Sequence, residues 1–307
     1  MKKSTKILII SMITVMMGAL ILRPSIYIKA AKDGLHLFSI SVLPALLPFF
    51  IFTKLLTALG VSNALSRYAN KPTRRLFNAP PIASYIFAMS VLSGYPIGAK
   101  LTADAYENNL LTSEEANSII SFTSTSGPIF ILGTIGTLFL ENYVYGLVIL
   151  ICHYIATIIN GVLFRSNSYK FSQFTTKFSY DNVLEETINS SIKSIMQVGV
   201  YMMLFNMVIT LLYDVGVFGN LPIIIEGSIS GIIEVTQGIK ILTSSNLNKM
   251  DTLPIIGFLV SFGGLSVTMQ SLTFLSKCKV SAGRYLITKF SQGTLTYALI
   301  TLVVGFF

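Results

Sequence analysis

Charge is scarce in this chain. Only 11% of its 307 residues are Asp, Glu, Lys or Arg, against about a quarter in ordinary soluble domains. With 52% hydrophobic residues and a mean hydropathy of +0.71, that deficit excludes a soluble globular domain. Cysteine is as sparse. Cys152 and Cys278 lie in or beside apolar segments without CxxC spacing, which argues against a disulfide framework or metal site and makes them packing residues. His36 and His153 stand alone and read as interfacial or packing residues. HExxH, GxSxG and Walker signatures are all missing, and Tyr213-Asp214 is not followed by the GxGD of an intramembrane aspartyl protease. No catalytic residue, metal or cofactor is expected, and a membrane enzyme is the disfavoured alternative.

What the chain does have is apolar length. Runs near Ile7–Leu22, Leu35–Val61, Ile82–Ala99, Ala116–Leu140, Tyr143–Phe164, Ile188–Tyr213, Leu221–Leu242, Leu253–Leu275 and Tyr285–Phe307 mostly suffice to cross ~30 Å of hydrocarbon. The first run follows Lys2-Lys3 like a signal peptide, but Arg23-Pro24 comes next without a small-x-small cleavage site, so a retained helix is expected. The formal charge of +9 sits at segment ends and not in a stripe, which makes it a topology signal and disfavours nucleic acid as a partner. The lipid bilayer is the expected environment.

Counting basic residues discriminates between threadings. If all nine runs cross, the loops carry ten Lys and Arg on the cytosolic side and eight on the other. If 82–99 and 221–242 instead re-enter and return, Lys100, Arg165, Lys170 and Lys177 join the cytosolic side and the split becomes fourteen to four. The positive-inside rule favours the second. The helices opening the two halves then run in opposite directions, as inverted repeats require. The expected fold is an all-α polytopic membrane protein with two inverted repeats and broken or re-entrant helices. Its parts are an N-terminal helix (1–30), a first repeat (31–164), a connecting loop (165–187) and a second repeat with the C-terminal helix (188–307).

Four membrane-embedded stretches are built from small and polar residues: LSGYPIGAK (92–100), SFTSTSGPIFILG (121–133), SISGIIEVTQG (228–238) and SFGGLSVTMQS (261–271). Such residues weaken a helix unless the freed backbone faces protein or a water-filled cavity. Broken helices in corresponding positions of two halves point to a transporter's binding site. The repeat rests on Ser93-Gly94 against Ser230-Gly231 and on Ser121-Phe122 against Ser261-Phe262.

Substrate-binding candidates follow from these stretches. Ser124, Thr125, Ser126 and Gly127 precede Pro128, which suits the first turn of a new half-helix whose free N–H groups would attract an anion. Gly263, Gly264, Ser266 and Gln270 are placed to do the same from the other half, with Ser93, Gly94, Ser230 and Gly231 lining the breaks. Close helix packing through small residues is the competing explanation. Glu234, near Gly231, Thr236 and Gln237, sits in the weakest part of its segment and suits a coupling proton or cation. Pairing with Lys240 or Lys193 is its structural alternative, and Glu226 is read as structural. Lys100 closes the first stretch, either attracting an anion or anchoring at the interface, and Lys54 is expected to snorkel.

At SGYPIGAKL, TSTSGPIFILGTIG and SFGGLSVTMQSL, from about Ala30 to Lys279, the sequence resembles the YlbJ family of sporulation integral membrane proteins. Members carry the nucleoside-recognition Gate domain also seen in nucleoside carriers and a ferrous iron transporter. The resemblance implies an endospore former and a protein of the outer forespore membrane that moves dipicolinic acid toward the forespore. The family pattern has Asn at the position of Ser124, a departure that bears on affinity. Dipicolinate, a flat doubly negative pyridine dicarboxylate, suits half-helix amino ends, Ser and Thr hydroxyls and Lys100, with Tyr95 available to stack on its ring. A nucleoside or another metabolite is the rival solute.

Overall fold

The computed structural model describes residues 3–166 and 183–306, and these are helical with no strand. The first half contains α1 (Lys3–Leu22), α2 (Pro24–Leu37), α3 (Leu43–Ala58), α4 (Val61–Tyr68), α5 (Asn70–Phe77), α6 (Ile82–Ser93), α7 (Ile97–Glu107) and α8 (Ser113–Thr123). A π-helix, Ile129–Phe139, and α9 (Tyr143–Leu163) complete it. The second half contains α10 (Val183–Asp214), α11 (Ile223–Ile233), α12 (Val235–Ser244), α13 (Lys249–Phe262), α14 (Gly264–Leu275) and α15 (Ala282–Val304).

Among the described residues, four helical stretches are long and apolar enough to cross a membrane: 24–58, 143–163, 183–214 and 249–278. The pair α5–α6 passes the same test together but is bent by 91°. Pro24, at the first turn of α2, starts a helix one residue after α1 ends, so the second span begins earlier than Leu35 and the boundary expected at residue 30 falls inside it. Within this span a π-turn at Phe38–Val42 precedes Pro44, whose missing N–H cannot continue the regular ladder. The expected connecting loop lies outside the described residues except at its two ends, and at one of them 183–187 is already helical.

The two runs expected to re-enter, 82–99 and 221–242, are helical hairpins. The limbs α11 and α12 fold back on each other about Glu234, with Gly227 against Leu242 and Gly231 against Gly238. A Cβ on Gly238 would overlap the Gly231 backbone, so the close approach depends on glycine. The limbs α6 and α7 turn about Gly94-Tyr95-Pro96, bringing Gly98 against Ser90. Two further runs are broken: α8 gives way at Ser124–Gly127 to the π-helix, and α13 gives way at Gly263 to α14. Gly263 and Gly264 adopt φ of +83° and +72°, a pair of left-handed turns that side chains would strain. The hairpin turn lies at Glu234, one helical turn past Ser230-Gly231, so the sequence match with Ser93-Gly94 is out of register. Gly231 is small because it packs on Gly238.

The order of element types therefore recurs: long helix, hairpin, broken run, helix. The opening helices of the halves lie antiparallel. Arg23 ion-pairs with Asp214, Asn206 Nδ2 donates to the Ala30 carbonyl at 2.7 Å, Phe38 packs on Gly199, and Lys54 reaches Ser190. The closing helices do the same: Gln292 Nε2 donates to Thr157 Oγ1 at 2.6 Å, Asn160 Nδ2 to the Thr288 carbonyl at 3.1 Å, and Arg284 to the Phe164 carbonyl at 3.4 Å.

Loop contacts sort to two ends of the bundle. Asn78 binds the Ser166 carbonyl, Ser118 the Phe164 carbonyl, and Asn117 the Ser281 N–H at one end, while Lys249 binds the Leu140 carbonyl at the other. Helix starts at these ends carry side-chain caps, including a Thr112–Glu115 capping box on α8 and Asn142 on α9.

Candidate functional site

The four weak stretches meet. A cavity of about 50 Å³ is lined by Gly94 and Tyr95 from the first hairpin turn, Ser126 and Gly127 from the first break, Glu234 and Thr236 from the second hairpin turn, and Gln270 from α14. Val42, Leu46, Val198 and Met202 of the opening helices close its apolar side. The turns are held close by backbone contact. A Cβ on Gly94, whose φ is +78°, would come within 2.6 Å of the Gly127 nitrogen, and one on Gly264 within 3.0 Å of the Gly231 carbonyl oxygen.

Behind this cavity lies a buried polar network that sequence reasoning missed. Lys289 of α15 is 1% exposed. Its three ammonium hydrogens are matched by three acceptors: the Tyr95 hydroxyl at 2.6 Å, the Ser124 carbonyl at 2.8 Å and Gln292 Oε1 at 2.6 Å. Its Nζ stands 4.6 Å from the centroid of the Tyr95 ring. No carboxylate among the described residues comes within ion-pair distance of it. A cation this deep in a membrane protein is costly, and residues of this kind mark ion and substrate paths.

His153 joins the same network and is not a lone packing residue. Its Nε2 accepts from the Ser126 N–H at 3.1 Å and faces the Thr125 hydroxyl at 2.6 Å. The ring proton is therefore assigned to Nδ1, which donates to Ser261 Oγ at 2.7 Å, and Ser261 in turn donates to Thr296 at 2.8 Å. The Ser126 N–H, expected to face an anion, is thus already engaged. Tyr95 donates to the Ser261 carbonyl at 3.0 Å while accepting from Lys289, so one hydroxyl ties the first hairpin to α13 and α15.

Of the expected site residues, Gly94, Tyr95, Ser126, Gly127, Glu234 and Gln270 line the cavity. Ser124 and Thr125 point away, to Tyr285 and His153. Ser93 bonds Thr53, Ser266 accepts from Gln270, and Gln237 donates to Asn206. Ser230 is buried with no hydrogen-bond partner for its hydroxyl, while Gly231, Gly263 and Gly264 serve close backbone packing. Lys100 is elsewhere, bonded to Ser194 Oγ at 2.5 Å in a separate cavity.

Glu234, 2% exposed, has neither Lys240 nor Lys193 within ion-pair distance. Its carboxylate caps α12, accepting from the Gln237 N–H at 2.8 Å. Glu226 is bonded by the Tyr213 hydroxyl. Cys152 and Cys278 are buried thiols in separate apolar clusters.

The chain is similar along its length to the sporulation integral membrane protein YlbJ of Bacillus subtilis. Identity is 26% over an alignment of 341 residues, covering 99% of this chain and 84% of the relative. That similarity runs over nearly the whole chain and supports a likeness to YlbJ-type sporulation membrane proteins. No family model and no solved structure matches the chain. The apolar helices and the relative's description agree on an integral membrane location.

Proposed function

We propose that this protein is a carrier for a small organic anion, with dipicolinic acid as its solute and the outer forespore membrane as its place. The observation that carries the proposal is the meeting of two hairpin turns and two helix breaks around one cavity, backed by the buried Lys289 ammonium. Broken backbone at membrane depth is tolerated where it lines such a cavity, and carriers place their sites there. Antiparallel pairing of the opening helices and of the closing helices supports two inverted repeats that exchange access from one side to the other. At about 50 Å³ the cavity has room for about one or two waters, so a ring dicarboxylate enters only as the turns separate. Lys289 supplies positive charge without a fixed ion pair, and Glu234 is placed to bind a coupling proton or cation.

The test is uptake of radiolabelled dipicolinate into proteoliposomes holding the purified protein. Uptake competed by unlabelled dipicolinate and not by uridine supports the reading. Competition by uridine reassigns the solute to a nucleoside, and absence of any uptake removes the dipicolinate carrier. In a spore-forming host, a null strain should make spores poor in dipicolinate while the mother cell still synthesises it. Loss of synthesis would point to an enzyme.

A further inference from the structure

A second cavity, about 280 Å³, opens between α7, α10 and α14, and nothing in the central site accounts for it. Lys100, Lys193, Ser190, Ser194, Asp104 and Lys277 are among the residues that line it. Beside it, two ammonium groups converge on one turn of α10. Lys54 bonds the Ser190 hydroxyl, and Lys100 bonds Ser194 Oγ at 2.5 Å and the Ser190 carbonyl at 3.4 Å. Neither lysine has a carboxylate within ion-pair distance among the described residues. Glu107 is taken by Lys277 at 2.6 Å, which leaves Asp104 as the one unpaired carboxylate lining the cavity against Lys54, Lys100 and Lys193.

We propose that this cavity is a binding site for a small dianion, lined by Lys100 and Lys193, with Lys54 beside it on the Ser190 hydroxyl of the same α10 turn. Lys54, Lys100 and Lys193 face the single unpaired carboxylate of Asp104, which leaves an excess of positive charge that a doubly negative ligand would offset. The volume lies just under the ~300–1,000 Å³ of drug-sized pockets, which fits a metabolite such as a dicarboxylate. The cavity sits at the end of the bundle bearing the α7–α8 connection (108–112), the cytosolic end in the fourteen-to-four threading. Its role in transport, as the loading site from which solute passes inward, rests on the carrier reading; its binding of a dianion does not.

Two measurements on the full chain separate these. The first is equilibrium binding of radiolabelled dipicolinate in phosphatidylcholine nanodiscs, with phthalate and neutral pyridine-2,6-dicarboxamide as competitors. The second is uptake into proteoliposomes. Lys54→Gln with Lys100→Gln should weaken binding and raise the KM for uptake about tenfold or more, leaving kcat nearly unchanged. Phthalate should compete and the diamide should not, and Lys54→Arg with Lys100→Arg should retain binding. Should the double variant fail to accumulate, Lys193→Gln, exposed at the rim, should still raise KM roughly threefold. Lysine-dependent binding without uptake would sink the carrier reading and keep this site. Uptake with unchanged KM in the variants would sink this site and keep the carrier. Loss of dipicolinate binding on adding phosphatidylglycerol would assign the cavity to a lipid phosphate and overturn the proposal.

Discussion

The two hairpins reach the same cavity but are held there differently. The second is self-contained. Its limbs close on Gly231 and Gly238, and its turn is capped by its own Glu234 carboxylate. The first leans on its neighbours. Gly98 lies against the Thr123 carbonyl of α8, Gly94 against Gly127, and Tyr95 is tied to Ser261 and Lys289. A unit that closes on itself can shift as a body without losing its internal contacts. One docked through a hydroxyl and a buried ammonium shifts only when those bonds are exchanged. The charge that holds the first hairpin lies directly behind the cavity, one hydroxyl away through Tyr95, where the proposed anionic solute would act on it.

The largest effect is expected where packing is internal. Gly238→Val should strip the second hairpin of its closing contact, because the new side chain would occupy the Gly231 backbone position. A loss of about 3 kcal/mol or more, seen as lost abundance and lowered thermal stability in detergent, is expected. Normal abundance with a normal melting curve would mean that the limbs can separate freely, and the contrast between the hairpins would fail.

Lys289→Met comes next and should act in the opposite way. Removing an unpaired buried charge relieves its desolvation cost, which should offset the donor lost to Tyr95, Ser124 and Gln292, so abundance should hold. Uptake should fall by on the order of 100-fold. Unchanged uptake would remove Lys289 from the mechanism, and loss of the protein together with activity would make it structural. Tyr95→Phe, which keeps the ring but cuts the tie to Lys289 and Ser261, should lower uptake roughly tenfold. Its KM and kcat should show whether the hydroxyl holds the solute or only the hairpin.

How legible this was in the sequence differs by physical cause. Gly94, Gly127 and Gly263 mark interruptions that the chain announces through residues that weaken helices, so these turns and breaks could be read directly, whereas the second hairpin turn, at Glu234, falls one turn past the Ser230-Gly231 pair. The charge count pointed to a return of the first hairpin, since Lys100 and Arg165 suit the same side only if it does, and the structure folds that run back on itself. Lys289 was not found because one charge in a long apolar segment barely moves its average hydropathy, yet Gln292 one turn on was a usable sign. His153 looked alone because its partners Thr125 and Ser261 are distant along the chain. Of the four lysines that counting leaves inside apolar segments, Lys54, Lys193 and Lys289 gather at the two cavities, while Lys240 is exposed. Leftover charges were the better guide to function than the loop charges that fixed the threading.

The smallest expected effect tests whether the second hairpin turn is only a self-capped end or also a coupling site. Glu234→Gln keeps the shape of the side chain and an oxygen that can still accept from the Gln237 N–H, but it removes titration and the favourable charge at the start of α12. As a cap alone, the change should cost about 1 kcal/mol, visible as a small fall in melting temperature with uptake unchanged across pH. The penalty of ~3–5 kcal/mol for breaking a buried ion pair is not expected, because Lys240 and Lys193 are out of reach. If the carboxylate also takes up a coupling proton, uptake should lose its pH dependence while dipicolinate binding in nanodiscs falls much less. Glu234→Asp, still able to titrate but one methylene shorter, should then keep the pH dependence at reduced rate. A flat pH profile in the wild type would end the coupling role and leave the carboxylate as the cap that lets the hairpin turn inside the membrane.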